Sequence, residues 1–336
     1  MRLPTAVTRP AVLNSITAAS PSLAWAVGTE NLSGGARPLL LHWNGRRWIK
    51  DAVPVRRADG EMVQVSSASR RTAWALGYHS SGAAVILHWV SGAWVRVPAP
   101  SGLSPVNSIA GGTDGSAWLA GYNSSLGYLL EHWSRGRWQT IKVPQNLWGG
   151  MADMLAVGSD NLWISDYTVA GQGIVVHYDA GTWSSTSAVP GGVAFVTDVL
   201  AVSPQRVWIT GWLCTAIGPP GCASTQPLIG HWNGSAWDKV LHPAGIGSTT
   251  SISPSRTGQP QWAGVTASGT GERLFYEHFD GTRWSLRSAA ILVPGAVSSS
   301  TDVAAVPGTN ATWAVASSQT SATSPGVTVI QYNPGS

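Results

Sequence analysis

Ala24-Trp25-Ala26-Val27-Gly28, followed by His42-Trp43-Asn44-Gly45-Arg46-Arg47-Trp48, is the stretch that decides the fold. Its first half returns around Trp74, Trp118, Trp163, Trp208, Trp262 and Trp313, at intervals of about 45 to 54 residues. Its second half returns as His88-Trp89 with Trp94, His132-Trp133 with Trp138, His177-Tyr178 with Trp183, His231-Trp232 with Trp237 and His278-Phe279 with Trp284, then decays to Gln331-Tyr332-Asn333-Pro334. In the first unit four short runs are rich in β-branched or aromatic residues: Leu13 to Ala18, Ala24 to Gly28, Leu39 to Trp43 and Arg47 to Ala52. Each ends in turn-forming residues. The Asn44-Gly45 pair marks a hairpin between the third and fourth runs, and Asn233-Gly234 and Asp280-Gly281 repeat it. Seven such units predict an all-β, seven-bladed β-propeller with four antiparallel strands per blade.

The expected units are residues 11–54, 60–98, 104–144, 151–190, 195–243, 248–294 and 299–336 plus 1–8, a single propeller over residues 1–336. The last unit stops where a fourth strand should follow, and Met1-Arg2-Leu3-Pro4 matches the fourth-strand sequence Val95-Arg96-Val97-Pro98. The N-terminal strand is therefore expected to close the last blade and so remove an exposed sheet edge.

Composition supports short strands and turns: 39 Gly, 21 Pro and only 11% charged residues. The net charge of +4 comes from arginines scattered over the chain. Arg46, Arg47, Arg70 and Arg71 fall in turns on one side and Arg56 and Arg57 on the other, so no single basic face interleaved with aromatics is expected and no nucleic-acid partner. No apolar run nears the roughly 20 residues of a membrane span. The start Met1-Arg2-Leu3-Pro4-Thr5 shows no apolar export signal. Cys214 and Cys222 flank a Gly/Pro-rich stretch; a disulfide would fit an oxidising compartment, two free thiols the cytoplasm.

The pattern Val/Ala-Trp-Ala-Val-Gly with His-Trp-Asn-Gly-x-x-Trp resembles the tryptophan-rich repeats of bacterial, mainly actinobacterial, propeller proteins. That resemblance covers essentially the whole chain and implies the architecture and an exported location, extracellular or at the cell surface, with cytoplasm as the alternative. The turns Asp179-Ala180-Gly181-Thr182-Trp183 and Asp280-Gly281-Thr282-Arg283-Trp284 are also similar to the Asp-box turns of sialidase-type propellers. The arginine cluster and Tyr/Glu pair that an active sialidase would need have no counterpart here.

Repeated residues are scaffold. Third-strand histidines of adjacent blades would stand on the order of 13 Å apart, too far to share a metal, whose bonds to nitrogen are about 2 Å. Each His is expected instead to bond a nearby backbone or turn group. No metal site and no cofactor are expected, and the chain is expected to be a monomer.

Function is sought where units differ on one rim, the top, where the innermost strands begin. Polar residues start those strands: Asn14, Gln64, Asn107, Asp153, Asp198, Thr250 and Asp302. They suit capping of backbone N–H groups or a polar, cation-attracting channel mouth. Four residues after the strand-two Trp stand Tyr78, Tyr122, Tyr167 and Trp212, where other units carry Thr29, Thr266 and Ser317. Trp148 and the insertion Leu213 to Thr225 lie on the same rim, and Asp166 adds a carboxylate beside Tyr167. Aromatic faces beside carboxylates and amides suit sugars or peptide side chains. The expected function is a non-catalytic module binding a carbohydrate, peptide or protein through blades three to five, with Tyr78, Tyr122, Trp148, Tyr167 and Trp212 as contact surfaces and Asn107, Asp153, Asp166 and Asp198 as anchors. The alternative is an enzyme acting on a glycan or peptide with Asp153, Asp198 or Asp166 as acid/base groups; no nucleophile triad, zinc motif or phosphate loop accompanies them.

Overall fold

A computed structural model describes residues 1, 3–54, 60–67, 71–144, 147, 151–167, 172–188, 194–203, 205–218, 221–240, 248–266, 275–288, 298–319 and 328–335. Arg56, Arg57, Arg70 and Trp148 lie outside them. The described residues form seven antiparallel sheets and no α-helix. The first holds β1 (Ala11–Ser20), β2 (Leu23–Glu30), β3 (Arg37–Trp43) and β4 (Trp48–Lys50); the second, β5 (Glu61–Ser66), β6 (Ala73–Tyr78), β7 (Ala84–Val90) and β8 (Ala93–Val97). The third holds β9 (Val106–Gly111), β10 (Ala117–Asn123), β11 (Gly127–Ser134) and β12 (Arg137–Lys142); the fourth, β13 (Met151–Ala156), β14 (Asn161–Tyr167), β15 (Gly173–Asp179) and β16 (Thr182–Ser187). The fifth holds β17 (Ala194–Ser203), β18 (Arg206–Gly218), β19 (Gly221–Trp232) and β20 (Trp237–Val240); the sixth, β21 (Ser248–Pro254), β22 (Pro260–Thr266), β23 (Phe275–Phe279) and β24 (Trp284–Ser288). The seventh holds β25 (Ser298–Ala305), β26 (Thr312–Gln319) and β27 (Thr328–Asn333). First strands touch in the cyclic order β1, β5, β9, β13, β17, β21, β25 and back to β1. This is a seven-bladed propeller with the first strand of each blade against the central channel.

The tryptophans explain why the blades stack. The strand-two residues Trp25, Trp74, Trp118 and Trp313 are fully buried. Each reaches the aromatic pair of the following blade: Trp25 meets Trp89 at 5.8 Å, Trp74 meets Trp133 at 5.9 Å, Trp118 meets Tyr178 at 5.4 Å and Trp208 meets Phe279 at 6.3 Å. Trp313 of the last blade meets Trp43 and Trp48 of the first, at 5.1 and 5.2 Å, so the same contact closes the ring. Large rings are needed because sheets that fan out from an axis diverge, and edge-to-face pairs fill the widening gap.

Closure at the chain ends is made by packing more than by a ladder. Leu3 and Val7 are buried with Trp313, Val315 and Ile330, and the Met1 amino group donates to the Ile330 carbonyl. Among the described residues the N-terminal segment forms no strand: Pro4 lacks an N–H to give to β27, and Val7 N–H turns back to the Pro4 carbonyl at 3.1 Å.

The hairpin turns divide into two kinds. Ser91-Gly92, Arg135-Gly136 and Ala180-Gly181 are two-residue turns with both φ angles positive, closing strands paired at Val90/Ala93, Ser134/Arg137 and Asp179/Thr182. The Asn-Gly and Asp-Gly pairs instead head four-residue loops, since Trp43 pairs Trp48, Trp232 pairs Trp237 and Phe279 pairs Trp284. There the Asx side chain does the work: Asp280 Oδ1 accepts Thr282 N–H at 2.9 Å and Arg283 N–H at 3.0 Å. These bonds hold the Asp280 carboxyl well below the usual carboxylate range.

Candidate binding site

Tyr122, Tyr167 and Trp212 stand on the top rim at the ends of β10 and β14 and along β18. They do not stand alone. Tyr122 pairs across the hairpin with Tyr128 and meets it edge-on at 5.3 Å. Burial first, then the nearness of Tyr167 and Asp166 in the next blade, pushes the Tyr128 hydroxyl up. Tyr167 leans on Phe195 at 5.4 Å, and Phe195 stacks on Trp212 at 4.0 Å with planes 17° apart. The row over blades three to five thus consists of two ring-contact groups, Tyr122 with Tyr128 and Tyr167 with Phe195 and Trp212. Tyr122 is its most open member, 39% exposed. Asp166 is fully buried beneath the row, its Oδ1 accepting Tyr167 N–H at 2.6 Å. It occupies the position three after the strand-two Trp where other blades carry Gly28, Gly77, Gly121 and Gly211.

At the end of the row β18 and β19 run on past the blade as a two-stranded ribbon. The described residues of the expected insertion loop, Leu213 to Gly218 and Gly221 to Thr225, are strand, with Cys214 paired to Thr225 and Ile217 to Cys222. A disulfide joins Cys214 and Cys222 across it, Cα atoms 5.6 Å apart. Phe195 and Tyr128 are the members that sequence reasoning missed. The signal for Tyr128 was its cross-strand register with Tyr122 over the Asn123–Gly127 turn.

Tyr78 serves elsewhere. Its hydroxyl donates to the Val106 carbonyl of the third blade, and its ring lines an open cleft of about 970 Å³ with Arg37, Glu61, His79 and several glycines. Asn107 is half-buried at the start of β9.

The channel carboxylates form a separate group. A bulge at the start of the first strand recurs in blades one to six, at Leu13/Ser15, Met62/Gln64, Met151/Asp153, Val196/Asp198 and Thr249/Ser251, and opposite Ala120/Gly121 in the third. Register shows that Asn14, Asn107 and Thr250 are bulge residues. The true equivalents of Gln64, Asp153, Asp198 and Asp302 are Ser15, Ser108 and Ser251, each opposite the residue two after the strand-two Trp. A slip of one residue turns a side chain to the other face, so the polar set read from the sequence mixed two faces.

The corrected ring stitches blades together. Ser15 Oγ accepts Val65 N–H at 3.2 Å, Gln64 Oε1 accepts Ile109 N–H at 2.8 Å, Asp198 Oδ2 accepts Ile252 N–H at 2.8 Å and Asp302 Oδ2 accepts Ile16 N–H at 2.8 Å, each from the following blade. Gln64 Nε2 donates to Asp153 Oδ1 at 2.5 Å, and Ser108 Oγ to the same oxygen at 3.2 Å. Asp153 and Asp198 are in mutual hydrogen-bonding contact. Each ring carboxyl is only half-covered on the channel side. Protein nevertheless surrounds it at greater depth, so its charged form is poorly solvated. Burial first, then the Asp153 charge, pushes Asp198 well above the carboxylate range; burial raises Asp153, and pushes Asp302 up to about 6.

The repeated histidines bond less than expected and stack more. His88, His132 and His177 lie flat on the cross-strand Trp74, Trp118 and Trp163 at 4.0, 4.1 and 3.9 Å. Burial lowers the pKa of all three and of His231 and His278, favouring the neutral ring that stacks. His42 differs, its Nδ1 2.6 Å from Asp51 Oδ1. Among the described residues no group of three or more His, Cys, Asp or Glu is placed to hold a metal ion.

Solved structures share this architecture. YCF48 bound to D1 peptide aligns with a TM-score of 0.61 at 15% identity, covering 100% of this chain and 96% of that one. YCF48 from Cyanidioschyzon merolae aligns at 0.59 with 16% identity, and the BP39L lectin from Burkholderia pseudomallei at 0.59 with 14%; both cover 98% of this chain and 97% of the other. The likeness is one of fold. No protein-family model and no curated protein sequence matches the chain.

Proposed function

We propose that the chain is a non-catalytic binding module that takes a carbohydrate, peptide or protein on the top rim of blades three to five. The observation that carries this is the gathering of five rings from three blades on one rim, in two contact groups, Tyr122 with Tyr128 and Tyr167 with Phe195 and Trp212; Tyr128 also packs against the core. Blades one, six and seven place Thr29, Thr266 and Ser317 at the same position. Aromatic faces with polar groups beside them bind sugar rings and peptide side chains alike. Propellers of like fold include one bound to a peptide and one named a lectin, which fits either class. The catalytic alternative draws less support, because the oxygens of Asp198 already accept Val199 N–H at 2.7 Å and Ile252 N–H at 2.8 Å. The Cys214–Cys222 bond supports work in an oxidising compartment, outside the cell or on its surface.

A glycan and peptide array probed with the wild type, Tyr122→Ala and Trp212→Ala tests the reading. A ligand of this row is expected to lose about thirtyfold in affinity with either variant, as for anchor residues of an interface, while the melting transition stays in place. Full binding by both variants sinks the proposal; binding lost together with folding assigns the row to structure.

A further inference from the structure

A cleft of about 540 Å³ opens between blades three and four on the opposite rim, where first strands finish. Three turns wall it: residues 114–116 ahead of β10, the hairpin between β11 and β12, and residues 159–160 ahead of β14. Among the described residues no aliphatic side chain lines it. One of its lining residues, His132, is 8% exposed and stacked on Trp118. Neither ring nitrogen of His132 has a hydrogen-bond partner among the described residues; Nε2 is sealed from solvent, and Nδ1 is the atom that reaches the cleft. In other blades the same nitrogen faces an acid. His231 Nδ1 lies 3.8 Å from the carboxyl of the cross-strand Asp238, and His42 Nδ1 lies 2.6 Å from that of Asp51. The third blade instead sets Gln139 across from His132, and this exposed side chain lines the cleft. A largely buried imidazole with an unmade bond is uncommon and calls for a group that completes it.

We propose that this cleft binds a neutral sugar, a pyranose whose hydroxyls meet His132 Nδ1, Asp114, Asp160 and Gln139 while its C–H face lies against Trp133. The groups waiting there select that chemistry. Asp114 is fixed in advance, because Ser116 donates both its N–H, at 3.0 Å, and its hydroxyl to Oδ1 and so leaves Oδ2 for a ligand. Burial works upward on this carboxyl, but the Ser116 bonds outweigh it and hold it below its ordinary value, so it stays an acceptor. Asp160 and Gln139 are exposed, and no side-chain hydrogen bond or ion pair among the described residues occupies them. Burial keeps His132 neutral, and a neutral imidazole offers one donor and one acceptor, as a hydroxyl does.

Charge and shape disfavour the other classes. An anion would face Asp114 and Asp160, and a simple cation would face Arg135, which lines the same cleft. A metal ion fits less well still, since among the described residues His132, Asp114 and Asp160 are not placed to share one. Polar groups that do not converge on a point suit several hydroxyls on one ring. A peptide would bring apolar side chains to a lining without aliphatic surface, whereas a pyranose needs one aromatic contact, which the half-buried Trp133 supplies.

Saturation-transfer NMR with the methyl α-pyranosides of glucose, mannose, galactose and fucose tests this, with tetrahydropyran as the ring without hydroxyls. At least one pyranoside is expected to take saturation from wild type, and tetrahydropyran none. Asp160→Asn and Gln139→Ala, both at exposed positions and each checked for an intact melting transition, are expected to weaken that binding about tenfold and about threefold. Failure of all four pyranosides with folded wild type overturns the proposal, as does binding that both folded variants keep in full. Loss in Tyr122→Ala in place of these two would assign the sugar to the aromatic row and overturn it as well. The array signal of that row is read with its own variants, so the two sites stand or fail separately.

Discussion

Asp153 makes the clearest prediction for a single side chain. Its carboxyl touches that of Asp198 while Gln64 Nε2 and Ser108 Oγ converge on Oδ1. Asparagine would keep an oxygen for those two donors and present N–H to Asp198 where the acid needs a shared proton. A carboxyl whose folded pKa is raised contributes its full share to stability below the unfolded value of 3.8 and loses it as pH rises through the folded value. Asp153→Asn is therefore expected to stabilise the chain at about pH 7.5. The gain should fade below about pH 4, where all the acids are protonated. Thermal melts of both proteins across pH check it; an equal shift at every pH would mean that charge is not the cause. The stacked histidines act in the opposite sense. Their folded pKa values lie below the free value of 6.5, so stability is lost as pH falls beneath it, and only the difference between variant and wild type isolates the acids.

At the scale of the strand, the bulge at the start of the first strand in blades one to six is the element that matters most and that sequence hid best. The Trp repeat showed seven blades because its spacing is set by gaps that only large rings fill, and the arc of Tyr122, Tyr167 and Trp212 stood out because Thr29 and Ser317 break the pattern. Ring membership did not. Asn14 and Gln64 look equivalent as polar residues at a strand start, yet pairing of Gln64 with Leu76 and Ser15 with Val27 puts them on different faces. An extra residue in the ladder leaves no trace in composition, only in register. Tyr128 and Phe195 escaped for the same reason, being joined to the row through pairing and a blade junction. The bulge aims Gln64 at the third blade, where it accepts Ile109 N–H and Ser108 Oγ and donates to Asp153. Gln64→Leu takes the acceptor from Ile109 N–H while Ser108 Oγ and Asp153 keep each other, and is expected to cost about 1–3 kcal/mol in urea unfolding. A cost below about 0.5 kcal/mol would show that water replaces the amide at this junction.

At the scale of the whole molecule, a ring is only as stable as its weakest junction, and the junction between seventh and first blades joins residues from opposite ends of the chain. Three kinds of contact hold it. The Trp313 ring sits against Trp43 and Trp48; Asp302 caps Ile16 N–H and Ser317 Oγ accepts Leu13 N–H at 2.9 Å; Leu3 and Val7 cover the outer part of the seventh sheet. The N-terminal segment is also tied to the first blade, because Thr8 N–H donates to Glu30 Oε2 at 2.7 Å, and Lys50 Nζ reaches both Glu30 Oε1 and the Ala6 carbonyl at 2.6 and 3.0 Å. It therefore bridges two blades although its described residues form no strand. Removing residues 1–8 exposes the apolar faces under Leu3 and Val7, and at about 1.5–3 kcal/mol for each buried side chain the loss is expected to be about 3–6 kcal/mol. Leu3→Ala alone should account for about 2–3 kcal/mol of it by leaving a cavity beside Ile330. Urea unfolding of the truncated and substituted chains measures both. Wild-type midpoints for the two proteins would mean that the inner capping bonds and the Trp313 contact close the ring unaided; a large loss on truncation with none for Leu3→Ala would place the closure in the Thr8, Glu30 and Lys50 bonds instead.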